Sequence, residues 1–212
     1  MYAKRLLRLV VGAVAGLACV LGVGKLTLVS AVKDVDRALF DAVVPVLQAI
    51  PGAISLSDRV TDIGAVAVNY GMAIALGAFV LSNRHDPLRG LLIPAVLMVS
   101  HLVQRLAIRV VDGFEPTEYV IGDGGPYFSG GVQRVVLLTG VMLLIARPEK
   151  PFSWIVRWAV LVGAVEAFTR LVLGRHWPTD LVASFPIGLV ELAGFRILWE
   201  VLPTPAGQTA EG

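Results

Sequence analysis

The sequence predicts an all-α protein: a six-span transmembrane helical bundle with an amphipathic surface helix after the first span. Three observations predict it. Of 212 residues, 56% are hydrophobic and only 16% charged, far less charge than a soluble domain of this length carries. Six apolar runs of about 20 residues, the length a helix needs to cross a bilayer, follow one another along the chain. Most ionisable residues collect between those runs rather than inside them.

The first run covers 6–31 and follows Lys4, Arg5 and Arg8. A basic start, an apolar stretch and the Val29-Ser30-Ala31 tripeptide also resemble a cleavable secretory signal, but the run is long for one. In "VKDVDRALFDAVVPVLQAI", apolar residues recur at helical spacing between charges, the pattern of a helix lying on a membrane surface. The second span is placed at 60–81, ended by "SNRHDP", and the third at 88–111, ended by the polar loop "DGFEPTEYVIGDGGPYF". The fourth, 129–146, stops at "RPEKP"; the fifth covers 152–173 and the sixth 177–201. Residues 1–201 thus read as one membrane domain without internal repeats, and 202–212 as a short polar cytoplasmic tail.

Lys4, Arg5, Arg8, Arg84, Arg89, Arg147 and Lys150 fall on one side of this arrangement, against Lys33, Arg37 and Arg59 on the other. The positive-inside rule therefore puts both termini in the cytoplasm. It sends the end of span three, the start of span four and the turn between spans five and six to the outer face. An arginine-rich, Ala-, Val- and Gly-rich composition suggests a bacterial plasma membrane. A net charge of +2 with no long basic run argues against nucleic acid as a partner, leaving membrane lipids. The lone Cys19, in an apolar run, reads as a small hydrophobe.

The chemistry concentrates in "TRLVLGRHWPTD", residues 169–180. Arg170 ends span five, His176 follows the turn at Gly174, and Pro178 suits the first helical position of span six. Asp180 lies four residues after His176, so its carboxylate can reach one imidazole nitrogen and leave the other free as a nucleophile or base. The positive end of span six and the Arg170 guanidinium together offer an anion site. The competing reading is that Arg170, Arg175, His176 and Asp180 anchor span ends at the interface. Glu166, four residues before Arg170, is placed to hold its guanidinium. His101 and Glu191 read as helix-packing groups, and Arg105 and Arg134 as further cations that either serve the site or snorkel to headgroups.

This stretch resembles the third signature, SRxxxxxHxxxD, of the type-2 phosphatidate phosphatase and vanadium haloperoxidase superfamily, with Thr169 in place of serine. The second signature, PSGH, corresponds to "FSGGVQR", 128–134: Ser129 and Gly130 match, Phe128 replaces proline, and Gly131 stands where the histidine belongs. The first, KxxxxxxRP, corresponds to "QRLAIRVVD", with Gln104, Val111 and Asp112 at its three defining positions; Arg109 matches an additional arginine of many members. The resemblance covers all six spans in order. It implies His176 as nucleophile forming a phosphohistidine and Asp180 as its orienting partner. Arg170, Ser129, Gly130, Arg109 and Gln104 would bind phosphate, with no metal or other cofactor. The implied substrate is a lipid phosphate. Gly131 leaves no acid for the departing oxygen, a loss of about 10² to 10⁴-fold for an alkoxide, so a lipid diphosphate such as a polyprenyl diphosphate is favoured. The alternative is a degenerate member that binds a lipid phosphate or a protein partner without turnover.

Overall fold

The computed structural model describes residues 29–111, 115–122, 125 and 127–203, with isolated residues between 16 and 26. Most of the expected first span, with Cys19, and the tail from 204 onward lie outside the described residues. Every element among the described residues is helical: α1 Ser30–Gln48, α2 Ala53–Thr61, a 3-10 turn Asp62–Gly64, α3 Val66–Arg84, α4 Pro87–Val111, α5 Gly130–Ala146, α6 Phe152–Val172 and α7 Pro178–Val201. The chain is an all-α integral membrane protein. α3, α4 and α7 are each long and apolar enough to cross a bilayer. α5 is shorter, at 17 residues, and α6 carries Arg157, Glu166 and Arg170.

The centre of the bundle is α5, packed on α6 and α7, while α3 and α4 form a hairpin against it. Residues 130–138 of α5 are buried without interruption, so this stretch has no outer face, while Met142 further along the helix is exposed. Val136, Leu137, Val141 and Ile145 meet Ile155 and Ala159 of α6, Leu192 and Phe195 of α7, and Ile93 and Leu97 of α4. In the α3–α4 hairpin the backbones touch at Gly77, where an added Cβ would stand 2.5 Å from the Gly90 carbonyl oxygen. Small residues permit that approach between apolar helices.

The surface-helix expectation corresponds to α1, whose buried side is Asp36, Phe40 and Val44. α2 and the turn after it were not anticipated: they meet α1 at 107°, and the helix expected from residue 60 begins instead at Val66. Asp58, Arg59 and Asp62 are poor company for lipid, and the break is satisfied locally. The Asn69 amide donates to the carbonyls of Ile63 and Ala65, at 2.9 and 2.8 Å. This bent segment carries Thr61 and Gly64 to the end of the bundle where α4 stops, α5 starts, and α6 turns into α7.

Candidate phosphoryl site

The turn from α6 to α7 is built by its sequence. Gly174 adopts φ +65°, its amide donates to Leu171 and that of Arg175 to the Arg170 carbonyl, a glycine-dependent helix stop. Two residues on, Trp177 caps α7 and Pro178 opens it. Asp180 turns its Oδ2 back to the Trp177 amide at 3.3 Å. His176 is 4% exposed, and its Nδ1 stands 3.9 Å from the same Oδ2. That is an ion-pair distance, longer than a hydrogen bond, and Nδ1 has no hydrogen-bond partner.

The loop before α5 covers the ring's other edge. A Cβ added at Gly125 would lie 2.6 Å from His176 Cε1 and 3.0 Å from Nε2, so the glycine lets the loop backbone close on the ring without a side chain of its own there. Arg175 secures the loop: its carbonyl accepts the Gly125 amide at 3.0 Å, its Nε donates to Ile121 at 2.8 Å, and its guanidinium pairs with Asp58.

Deeper in, two guanidiniums face one carboxylate. Arg170 Nε donates to Glu166 Oε1 at 2.8 Å, and Thr61 Oγ1 donates to the same oxygen at 3.2 Å. Arg134, in the second turn of α5, donates to Gln104 Oε1 at 2.6 Å and to the Gly64 carbonyl at 3.2 Å. The glycines make this crowding possible. A Cβ at Gly131 would stand 2.6 Å from an Arg170 terminal nitrogen, one at Gly64 would stand 2.1 Å from Glu166 Oε1, and one at Gly130 would overlap the Gln104 amide. The position where the resemblance expects a histidine is therefore backed by a guanidinium. Ser129, fully buried at the start of α5, has an Oγ without a partner, as have Arg134 Nε and Glu166 Oε2.

The structure thus gathers Gln104, Ser129, Gly130, Glu166, Arg170, His176 and Asp180 at one end of the bundle. Arg109, in the last turn of α4 at this same end, is exposed. Three contributors escaped the sequence reading: Thr61, Gly64 and Asp36. Asp36 of α1 accepts the Thr179 amide at 3.0 Å and the Thr179 hydroxyl, and so occupies the positive end of α7 with a carboxylate from the same chain. Burial, the larger influence, raises its carboxyl above the ordinary range, against the two Thr179 bonds. Its signal was present in the sequence, since Asp36 shares the i, i+4, i+8 register of Phe40 and Val44.

Residues 108–201 match the family model of the PAP2 superfamily. Among solved structures, the chain is similar to a transmembrane PAP2-type phosphatidylglycerolphosphate phosphatase from Bacillus subtilis, with 19% identity and a TM-score of 0.73 over 96% of this chain and 98% of that one. No curated protein matches the chain.

Proposed function

We propose that this chain, whose residues 108–201 match the PAP2 superfamily model, is an integral-membrane lipid phosphatase working through His176. One observation carries this reading: a buried imidazole, facing a carboxylate on one edge and the Cβ-free Gly125 on the other, at the end of the bundle that holds Arg134 and Arg170. The similar Bacillus subtilis protein acts on a lipid phosphate by its own description, and a chain of similar fold that keeps Arg170, His176 and Asp180 is equipped for the same class of reaction.

In this mechanism Asp180 holds the proton-bearing Nδ1, and Nε2 attacks phosphorus. The bond to the leaving oxygen breaks, its electron pair departs with the leaving group, and a phosphohistidine remains. Water then attacks that phosphorus, returning Nε2 and releasing phosphate. Arginines and backbone amides at the start of α5 bear the charge on the non-bridging oxygens, which is the greater part of what phosphoryl transfer asks of a protein. Gly131 supplies no proton to the leaving oxygen, so the substrate we infer is a lipid diphosphate, whose leaving phosphate needs little help. The site would face the outer leaflet of a bacterial plasma membrane, with lipid tails left in the bilayer and no metal taking part.

A second reading, binding without turnover, draws on the Asp180 carboxylate, which accepts the Trp177 amide and stands 3.9 Å from Nδ1. Phosphate release by detergent-purified protein separates the two. The phosphatase reading expects release without added metal, faster from a polyprenyl diphosphate than from phosphatidate, and abolished in His176→Ala. Folded protein that releases phosphate from neither lipid is a binder, and faster release from phosphatidate rejects the leaving-group argument.

A further inference from the structure

We propose that Arg134 is a phosphate-binding residue, the second guanidinium of a two-arginine site that Arg170 completes, and that Gly131 leaves the Arg170 guanidinium its place there. The inference rests on the reading that a phosphoryl group is the ligand, but not on turnover.

Charge is the first ground. Arg134 is 4% exposed and Glu166 2%, and around the two guanidiniums the carboxylate in hydrogen-bond contact is Glu166 alone among the described residues. Glu191, deeper in α7, takes its bonds from Ser100 and Gln133 instead. Arg134 is thus a guanidinium buried in a membrane bundle with only neutral hydrogen-bond partners, an arrangement that favours an anion beside it. Position is the second ground. Arg134 is the fifth residue of α5, near the positive end of the helix dipole, where a cation is disfavoured and an anion welcome. Arg134 Nε and Ser129 Oγ, both buried and without partners in the structure, are the third. Both belong to the start of α5.

The same geometry gives Gly131 a role. In this chain the end of the Arg170 side chain extends into the space a side chain at 131 would take. Restoring a histidine there would push Arg170 off rather than repair the site.

The test uses the full-length protein in detergent, with two probes: orthophosphate and a single-chain alkyl phosphonate in mixed micelles. Ligand-dependent shifts of the thermal midpoint are measured for wild type, Arg134→Gln, Arg134→Lys and Gly131→His. Arg134→Gln removes a like charge beside Arg170, so its ligand-free midpoint is expected to be no lower than wild type. It should need at least tenfold more ligand for the same shift, Arg134→Lys should fall between, and Gly131→His should lose binding as Arg134→Gln does. A response to phosphonate alone identifies a lipid headgroup as the ligand; an equal response to orthophosphate identifies free phosphate. Arg134→Gln binding within twofold of wild type, or a wild type that neither probe stabilises, overturns the proposal. Arg134-dependent binding without phosphate release would remove the phosphatase reading and leave this one standing. Release whose KM is indifferent to Arg134→Gln would do the reverse.

Discussion

At the end of the bundle where α3 turns into α4, Arg84 donates to the Ile145 carbonyl. There Arg89 donates to Asp86 and to the carbonyls of Trp199 and Leu202. These are the C-terminal ends of α5 and α7, the negative ends of their dipoles, and each arginine closes carbonyls that lack a partner in the helix. At the opposite end, Arg134 stands at the positive end of α5, Arg170 shares its carboxylate with Thr61, and buried donors and acceptors are left over. The same residue type thus stabilises the fold at one end and is held at a cost at the other. Buried guanidiniums and unpartnered buried polar atoms of this kind are what the proposed site rests on.

Substitutions that exchange the two behaviours break the comparison, and the largest effect is expected at Arg170. Arg170→Ala removes the proposed phosphate ligand and the guanidinium that pairs with buried Glu166. Turnover should drop about 10² to 10³-fold, with a stability loss of about 3 kcal/mol, read by phosphate release and by thermal unfolding. Full activity in that variant would move the site elsewhere.

Gly125→Ala sharpens the comparison without touching charge. The new Cβ meets His176 at 2.6 Å, and a ring displaced by about 1 Å costs on the order of 10²-fold in kcat, while the unfolding midpoint stays near wild type. An unchanged kcat would mean that the ring edge beside Gly125 takes no part in the reaction.

Arg89→Ala is the control at the other end. Losing its charged hydrogen bonds should cost about 2 kcal/mol of stability and leave KM and phosphate binding as they are. A tenfold rise in KM would show the two ends to be coupled.

Asp36→Asn has the smallest expected effect, and a pH dependence. A carboxyl raised in the folded state costs stability when ionised. That cost is absent below its unfolded value of about 4, grows as pH rises through the folded value, and is constant above it. Midpoints of variant and wild type should therefore diverge on going from pH 4 to pH 7, in favour of the asparagine; parallel curves would refute the burial of Asp36 as the cause.

The fold and the site were legible to different depths. Helices α4 to α7 follow apolar runs whose ends carry Pro, Gly or charge, and local sequence determines those ends. The break at 62–65 is invisible to an average over 20 residues, because a three-residue turn hardly changes the mean; what makes it is Asn69 reaching back to Ile63 and Ala65. His176, Asp180 and Arg170 could be read from spacing, since one turn and two helix ends place all three. The neighbourhood of Arg134 could not, because Gly64, Gln104 and Arg170 reach it from three other elements. Arg109 shows the converse: a matching position in a signature whose side chain is exposed.

The most direct test of phosphoryl chemistry at this end is an alkaline quench of the purified protein during turnover of a lipid diphosphate carrying labelled terminal phosphate, followed by mapping of the bound label. The account predicts an alkali-stable, acid-labile label on His176 that is missing in His176→Ala. Turnover with the label on another residue, or undiminished in His176→Ala, would contradict it.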